Sequence, residues 1–208
     1  MPPSRRAAVL AVLASPGDAP GRTGDDILMR CRQVLTVDGG PWRIVLDVSG
    51  SPFAAAVFCE VADVPGGAMI GDLPFHAWEV EHLARWDDVG TAAVEGGGVG
   101  LVRAAFLHRL PSLDHDAFAR HWTEVHAPLA RRHHPALVRY DQHVVVRALT
   151  PDAPEFDAVS ELGFRDRRAM EEEMYDSAEG KAIVGSDIAA FLDLKAGMRV
   201  LGPEHVLR

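Results

Sequence analysis

The chain has 208 residues, 48% of them hydrophobic and 25% charged, a composition that excludes a disordered or low-complexity protein. A formal net charge of −9 repels phosphate backbones, so nucleic acid is not an expected partner. The basic clusters Arg131-Arg132 and Arg165-x-Arg167-Arg168 read as solvated helix faces. No stretch is long and apolar enough for a membrane-spanning helix, and two cysteines, Cys31 and Cys59, give neither a disulfide framework nor a zinc site and read as reduced core residues.

In chain order, Ser4-Arg5-Arg6 followed by Ala7–Ala14 mimics an export signal. The apolar run is at the short limit and Pro16 is badly placed for cleavage, so Ala7–Leu13 is predicted as a first strand and the protein as cytoplasmic. Asp25–Leu35 reads as a helix, Trp42–Val48 and Ala54–Val61 as strands, Phe75–Trp86 as a second helix, and Thr91–Glu95 as a short closing strand. Gly96-Gly97-Gly98-Val99-Gly100 is the clearest punctuation. It lacks both the spacing and the following amphipathic helix of a dinucleotide-binding loop, so it reads as a linker between residues 1–98 and 99–208.

The second part repeats the element order. Leu101–Arg109 is predicted as a strand, Asp114 to about Arg132 as a helix capped by Asp114, Leu137–Arg147 and Phe156–Phe164 as strands, Asp166–Asp176 and Ser186–Leu194 as helical, and Met198–Leu201 as the last strand. Phe118, Trp122, Val125 and Leu129 recur on one stripe, predicted as core. Met170 and Met174 take the core side of a helix whose Glu171-Glu172-Glu173 face is solvated. Four strands with helices on one face leave the other sheet face bare. Exposing several hundred Å² of it would forfeit roughly 10 kcal/mol, so each half needs a sheet partner. A monomer with an internal pseudo-dimer satisfies this within one chain; a homodimer is the alternative.

The ten histidines raise a metal hypothesis that their spacing opposes. On an α-helix His121 and His126 diverge by about 140°. His76 and His82 are six apart on a predicted helix, and His133-His134-Pro135 reads as a helix-end turn. No metal, flavin or nicotinamide is expected, since no nucleotide loop or nucleophile elbow is legible. What remains suits proton transfer. His126 lies at the margin of the apolar stripe with Pro128 disturbing the helix beyond it. Tyr140 and Gln142 share one face of their strand, while Arg139, Asp141 and His143 share the other. His108 and Arg109 point to opposite sides, so one of them faces a pocket. Asp187 is predicted to cap the last helix or to accept from an Arg or His nearby, with capping favoured, and Phe191 to be core.

Arg109-Leu110-Pro111, Phe118-Ala119-Arg120-His121-Trp122, His126-Ala127-Pro128-Leu129 and Arg139-Tyr140-Asp141-Gln142-His143 follow one another in strand, helix, strand order. This series resembles the EthD family over roughly Gly100–Arg208, and Asp187-x-x-x-Phe191-x-Asp193 and Met198–Leu201 fit the same pattern. The resemblance implies an α+β fold in which two ferredoxin-like βαββαβ halves pack sheet to sheet as an intramolecular α+β barrel with a pocket inside. It also implies a cofactor-independent acid/base enzyme, a lyase of cyclase, dehydratase or decarboxylase type, acting on a small hydrophobic substrate bearing a carbonyl or phenol, such as an aromatic polyketide. His126 would be base or acid, or else a structural residue tying the helix end to the sheet; Tyr140 would be a hydrogen-bond donor and His108 an alternate base, with Trp122, Gln142 and Arg109 contacting substrate. A cofactor-free monooxygenase of the same fold, or a non-catalytic accessory protein that binds a small molecule, are the alternatives.

Overall fold

The computed structural model describes residues 5–13, 24–34, 42–59, 74–90 and 98–207. Its strands are β1 (Arg5–Leu13), β2 (Trp42–Leu46), β3 (Phe53–Cys59), β4 (Phe75–Asp87), β5 (Leu101–Leu107), β6 (Leu137–Ala148), β7 (Ala158–Phe164), β8 (Met198–Gly202) and β9 (Glu204–Leu207). The helices are α1 (Gly24–Val34), α2 (His115–Arg120), α3 (Ala127–His133), α4 (Arg167–Glu172) and α5 (Ala178–Ala189), with a π-helical turn (His121–His126) joining α2 to α3.

All strands belong to one antiparallel sheet of order β8-β5-β7-β6-β4-β1-β3-β2-β9. The run β4-β1-β3-β2 and the run β8-β5-β7-β6 have the same ferredoxin-like order, and β4 pairs edge to edge with β6. Only Pro203 separates β8, on the β5 edge, from β9, on the β2 edge. The last strand therefore spans both ends of the sheet and closes it into an α+β barrel. Closure needs Gly202, because a Cβ there would lie 1.6 Å from the Leu46 carbonyl oxygen. It is reinforced by the Val48 N–H donating to Leu201 O at 2.8 Å and the Leu201 N–H donating to Asp47 Oδ1 at 2.9 Å.

One prediction is overturned in the first half: Phe75–Trp86 is a strand, not a helix. Its pairing with β6 slips at Glu79/Val80 and again between Ala84 and Trp86. Each bulge resets the two-residue alternation, and the resulting apolar spacing imitates a helical period. The predicted strand Thr91–Glu95 lies outside the described residues; β4 occupies the fourth-strand position of that half. The last helix also differs. Ser177 caps it by accepting from the Gly180 N–H at 2.9 Å, so α5 starts well before Ser186 and ends at Ala189, short of Leu194.

Inside the barrel, Phe58, Trp78, Phe106, Phe156 and aliphatic neighbours form one core cluster. A buried ionic network shares that space. Arg139 donates to Glu161 and Glu204, both at 2.5 Å, and Arg43 reaches across from β2 to Glu161 at 2.7 Å. His82 contacts Asp141 at 3.0 Å, and His143 contacts Glu161 at 3.1 Å while stacking on His82. Desolvation alone would raise the Glu161 carboxyl, but the Arg43 and Arg139 guanidiniums outweigh it and hold that carboxyl well below the ordinary range. The network ties β2 and β4 to β6, β7 and β9, so its charges are committed to holding the halves together. Removing one partner from such a network leaves uncompensated buried charge.

Glycine substitutions test the closure. Gly202→Ala should lower stability by more than about 3 kcal/mol, since backbone must shift to admit the methyl group. Gly185→Ala, on an α5 surface with nothing within 4 Å of the new Cβ, should raise it by about 0.5–1 kcal/mol. Urea unfolding of the two variants beside the parent chain measures both.

Candidate active site

A cavity of about 430 Å³ lies in the second half, between the outer face of its sheet and the helices that cover it. The pocket expected inside the barrel is thus displaced to the other face, because aromatic side chains and the ionic network occupy the interior. Strand alternation explains the lining. On β5 the even-numbered Val102, Ala104 and Phe106 join the barrel core, which turns Arg103, Ala105 and Leu107 outward to the cavity. On β6 the same rule sends Arg139, Asp141 and His143 inward, and Tyr140 and Gln142 toward the helices.

The helix opposite is wound differently from the sequence expectation. From His121 to His126 it is a π turn, closed by the Ala127 N–H on Trp122 O, five residues back. The extra residue per turn moves the buried stripe on by one. Phe118 and Trp122 are followed by His126 and Ala130, while Val125 is 45% exposed, so the predicted Val125 and Leu129 stripe is replaced. Pro128 ends the π ladder after this bond. The Ala127 N–H is spent on Trp122 O and Pro128 has no N–H to offer Thr123 O. Arg85 from β4 donates to Thr123 O instead, at 2.8 Å.

The π turn also overturns the expected divergence of His121 and His126. Both reach Asp187 on α5: His121 Nε2 lies 2.8 Å from Oδ1, and His126 Nδ1 lies 2.8 Å from Oδ2. Asp187 is inside α5 and does not cap it; of its two expected roles, acceptance from histidine is the one the structure shows. A carboxylate only accepts, so each imidazole donates its N–H to it. His126 is therefore protonated on Nδ1, and the opposite Nε2, without a protein partner among the described residues, is a free base at the cavity wall. Burial lowers the His126 pKa below the ordinary histidine value, and Asp187 opposes that fall.

Tyr140 and Gln142 form a second unit. Gln142, fully buried, donates one amide hydrogen to Trp122 O at 3.1 Å and the other to Tyr140 Oη at 2.9 Å. Because Tyr140 Oη accepts there, its own proton is available to the cavity that Tyr140 lines. Burial pushes the Tyr140 pKa up, and the Gln142 and Trp122 hydrogen bonds only partly oppose this, so it remains a neutral donor at physiological pH. Gln142 does not line the cavity; it orients Tyr140.

Of the other predicted residues, Trp122 lines the cavity, and so does His108, whose ring packs 5.0 Å from that of Phe156. Arg109 does not. Its Nη1 pairs with Asp157, its Nε donates to Leu113 O at 2.8 Å, and its backbone N–H donates to Asp157 Oδ2 at 2.9 Å. The guanidinium is consumed in pinning a loop. Sequence reasoning missed Arg103, Tyr175 and His134 as cavity residues. The readable signal for Arg103 was an arginine in the middle of an otherwise apolar strand. His134 ends α3 as expected, but its ring is buried and its Nδ1–H donates to Met174 O at 3.0 Å. Burial holds its pKa down at about 4. Its contribution to stability is fully present above about pH 6.5, the unfolded value, and is lost as pH falls toward 4.

The fold has counterparts among known proteins. The EthD domain model matches residues 110–195. That span runs from the end of β5 through the π turn, β6, β7 and α5. The second half is thus similar to the EthD domain over that span. His126, Tyr140, Gln142 and Asp187 all fall within it, whereas Arg103 and Arg199 lie outside. A search of curated proteins finds no significant match. Among solved structures, an anthrone oxidase-like protein superposes with a TM-score of 0.64 at 13% identity, covering 98% of this chain and 92% of its own. Candidate monooxygenases of Lactobacillus acidophilus (TM-score 0.54, 8% identity, 99% of each chain) and Fusobacterium nucleatum (TM-score 0.55, 9% identity, 100% of this chain and 94% of that one) share the fold. At these identities the likeness is one of fold, and it extends over both halves, beyond the EthD domain.

The His126–Asp187 geometry gives a titration test. Both Asp187 contributions raise the His126 pKa against burial, so Asp187→Asn should move the His126 midpoint further down from its already depressed value. NMR titration of the imidazole resonances in the parent and variant measures the direction.

Proposed function

We propose that the cavity is the site of a cofactor-independent reaction in which His126 removes a proton from a carbon acid within an aromatic molecule bearing a carbonyl or phenol. One observation carries this reading. A histidine held by a carboxylate on Nδ1, with Nε2 bare, stands on the wall of a cavity lined by both apolar and polar side chains. A depressed pKa keeps His126 unprotonated at neutral pH, the form a general base requires. Tyr140 donates to the oxygen on which negative charge develops, and Gln142 keeps its hydroxyl proton turned to that task.

Oxygenation is the outcome we favour, supported by the oxidase-like and monooxygenase names of the structural neighbours. The steps balance with molecular oxygen as the only co-reactant. His126 takes the C–H proton and the carbanion passes an electron to oxygen. The radical pair then joins as a carbon peroxide, and the imidazolium returns its proton to give the hydroperoxide. Loss of water leaves a new carbonyl, so a methylene plus O₂ becomes a ketone plus H₂O. Cyclisation, dehydration or decarboxylation would share the first proton transfer and differ in the fate of the electron pair.

With 1,8-dihydroxyanthrone as probe, the parent chain should consume one O₂ per quinone formed, above the uncatalysed rate. His126→Ala should lower turnover at least ~100-fold with a small change in melting temperature. The rate should decline on the acid side only below the ordinary histidine pKa, since His126 must lose its base form first. Undiminished turnover under argon would move the reading to a lyase. Full activity in His126→Ala would refute the base assignment.

A further inference from the structure

The outward face of β5 is an unexpected place for a guanidinium. Arg43, Arg85, Arg109 and Arg139 all have carboxylate or carbonyl partners. Arg103 has no hydrogen bond or ion pair with any described residue, and its Nε is shut off from solvent without an acceptor. The titratable groups around it are Tyr175, Arg199 and Tyr140, which are two phenols and a second cation. The carboxylate in the cavity wall, Asp193, accepts from the Lys195 N–H at 3.0 Å and is not among the groups acting on Arg103. Of the three histidines on the same wall, His108, His126 and His134, the last two have lowered pKa values through burial and so add no positive charge at neutral pH. Burial is the main cause lowering the Arg103 pKa, and Arg199 adds to it.

A desolvated cation without a partner is destabilising, and that cost disappears when an anion occupies the space beside it. The planar fork of arginine suits a carboxylate or a phenolate oxygen better than a lysine would. We propose that Arg103 makes this cavity selective for molecules that carry an acidic oxygen, a carboxylate or an ionised phenol, on their aromatic body. This deepens the functional reading above and rests on it only in taking the cavity as the place where substrate binds. Arg103 contacts the ligand directly, and Arg199, at the exposed rim of the same cavity, adds to the positive field at the entrance.

Binding measured without turnover tests it. By isothermal titration at pH 8, the parent chain should bind 2-naphthoate at least about tenfold more tightly than 2-naphthamide, a modest return for one charge-assisted pair. Arg103→Gln should abolish that preference and Arg103→Lys should restore part of it. In a parallel arm, 4-nitrophenol should ionise at lower pH when bound to the parent chain than when bound to Arg103→Gln. A preference in one arm alone identifies the carboxylate or the phenolate as the recognised oxygen. Arg103→Gln should melt at or above the parent temperature, because it removes an unpaired buried charge; a melting point several degrees lower would mark a structural arginine and overturn the proposal. So would equal binding of naphthoate and naphthamide with no shift in nitrophenol ionisation, or a preference that survives Arg103→Gln. His126→Ala should keep the full preference, so failure of the base assignment and failure of the anion site give different results.

Discussion

The arrangement of the candidate site depends on one hydrogen bond, from the Ala127 N–H to Trp122 O five residues back. It adds a residue to one helical turn, carries His126 onto the buried face and brings His121 over it, so that a single carboxylate on α5 receives both imidazoles. Pro128 ends the π ladder after this bond, because a residue without an N–H cannot continue it to Thr123 O. Side chains from the sheet, Gln142 on Trp122 O and Arg85 on Thr123 O, satisfy carbonyls of the π turn. The wide turn is thus anchored from β6 and β4, one strand from each half of the barrel. A distortion costly in an isolated helix is held here by tertiary hydrogen bonds.

The barrel divides its polar residues by strand parity into two jobs. Side chains pointing inward on β6 and β7 build the buried network of Arg139, Asp141, His143 and Glu161. Side chains pointing outward on β5 and β6 furnish the cavity with Arg103 and Tyr140. Adjacent residues in sequence therefore serve separate purposes: Tyr140 is a donor at the cavity, and its neighbours on either side hold the barrel halves together. In the first half, α1 packs on the outer sheet face through Ile27, Leu28 and Cys31 against Ile44, Val57 and neighbouring residues, and carries no His-Ala-Pro segment, so the proposed chemistry is confined to one side of a two-sided frame.

Much of this was legible in sequence wherever one period ruled a segment. The strands around Leu101–Leu107 and Leu137–Ala148 and the opposed faces of Tyr140 and Arg139 followed from simple alternation. Legibility failed where a single extra residue entered. Two bulges made β4 resemble a helix, and the π turn displaced the buried stripe from Val125 to His126. For Asp187 the sequence left acceptance from a histidine as the lesser of two readings and did not say which histidines, because its partners lie more than sixty residues away on another helix and a local capping role was the simpler inference. The cavity's position was likewise set by what fills the barrel, and that filling arises from residues on five different strands.

The central claim is that Asp187 holds His126 with its proton on Nδ1 and leaves Nε2 as a free base facing the cavity. Long-range ¹H–¹⁵N correlation spectra of the imidazole at neutral pH test this most directly. The account expects a neutral ring protonated on Nδ1, with Nε2 showing the shift of an unprotonated nitrogen. A neutral ring protonated on Nε2, or an imidazolium at that pH, would contradict it.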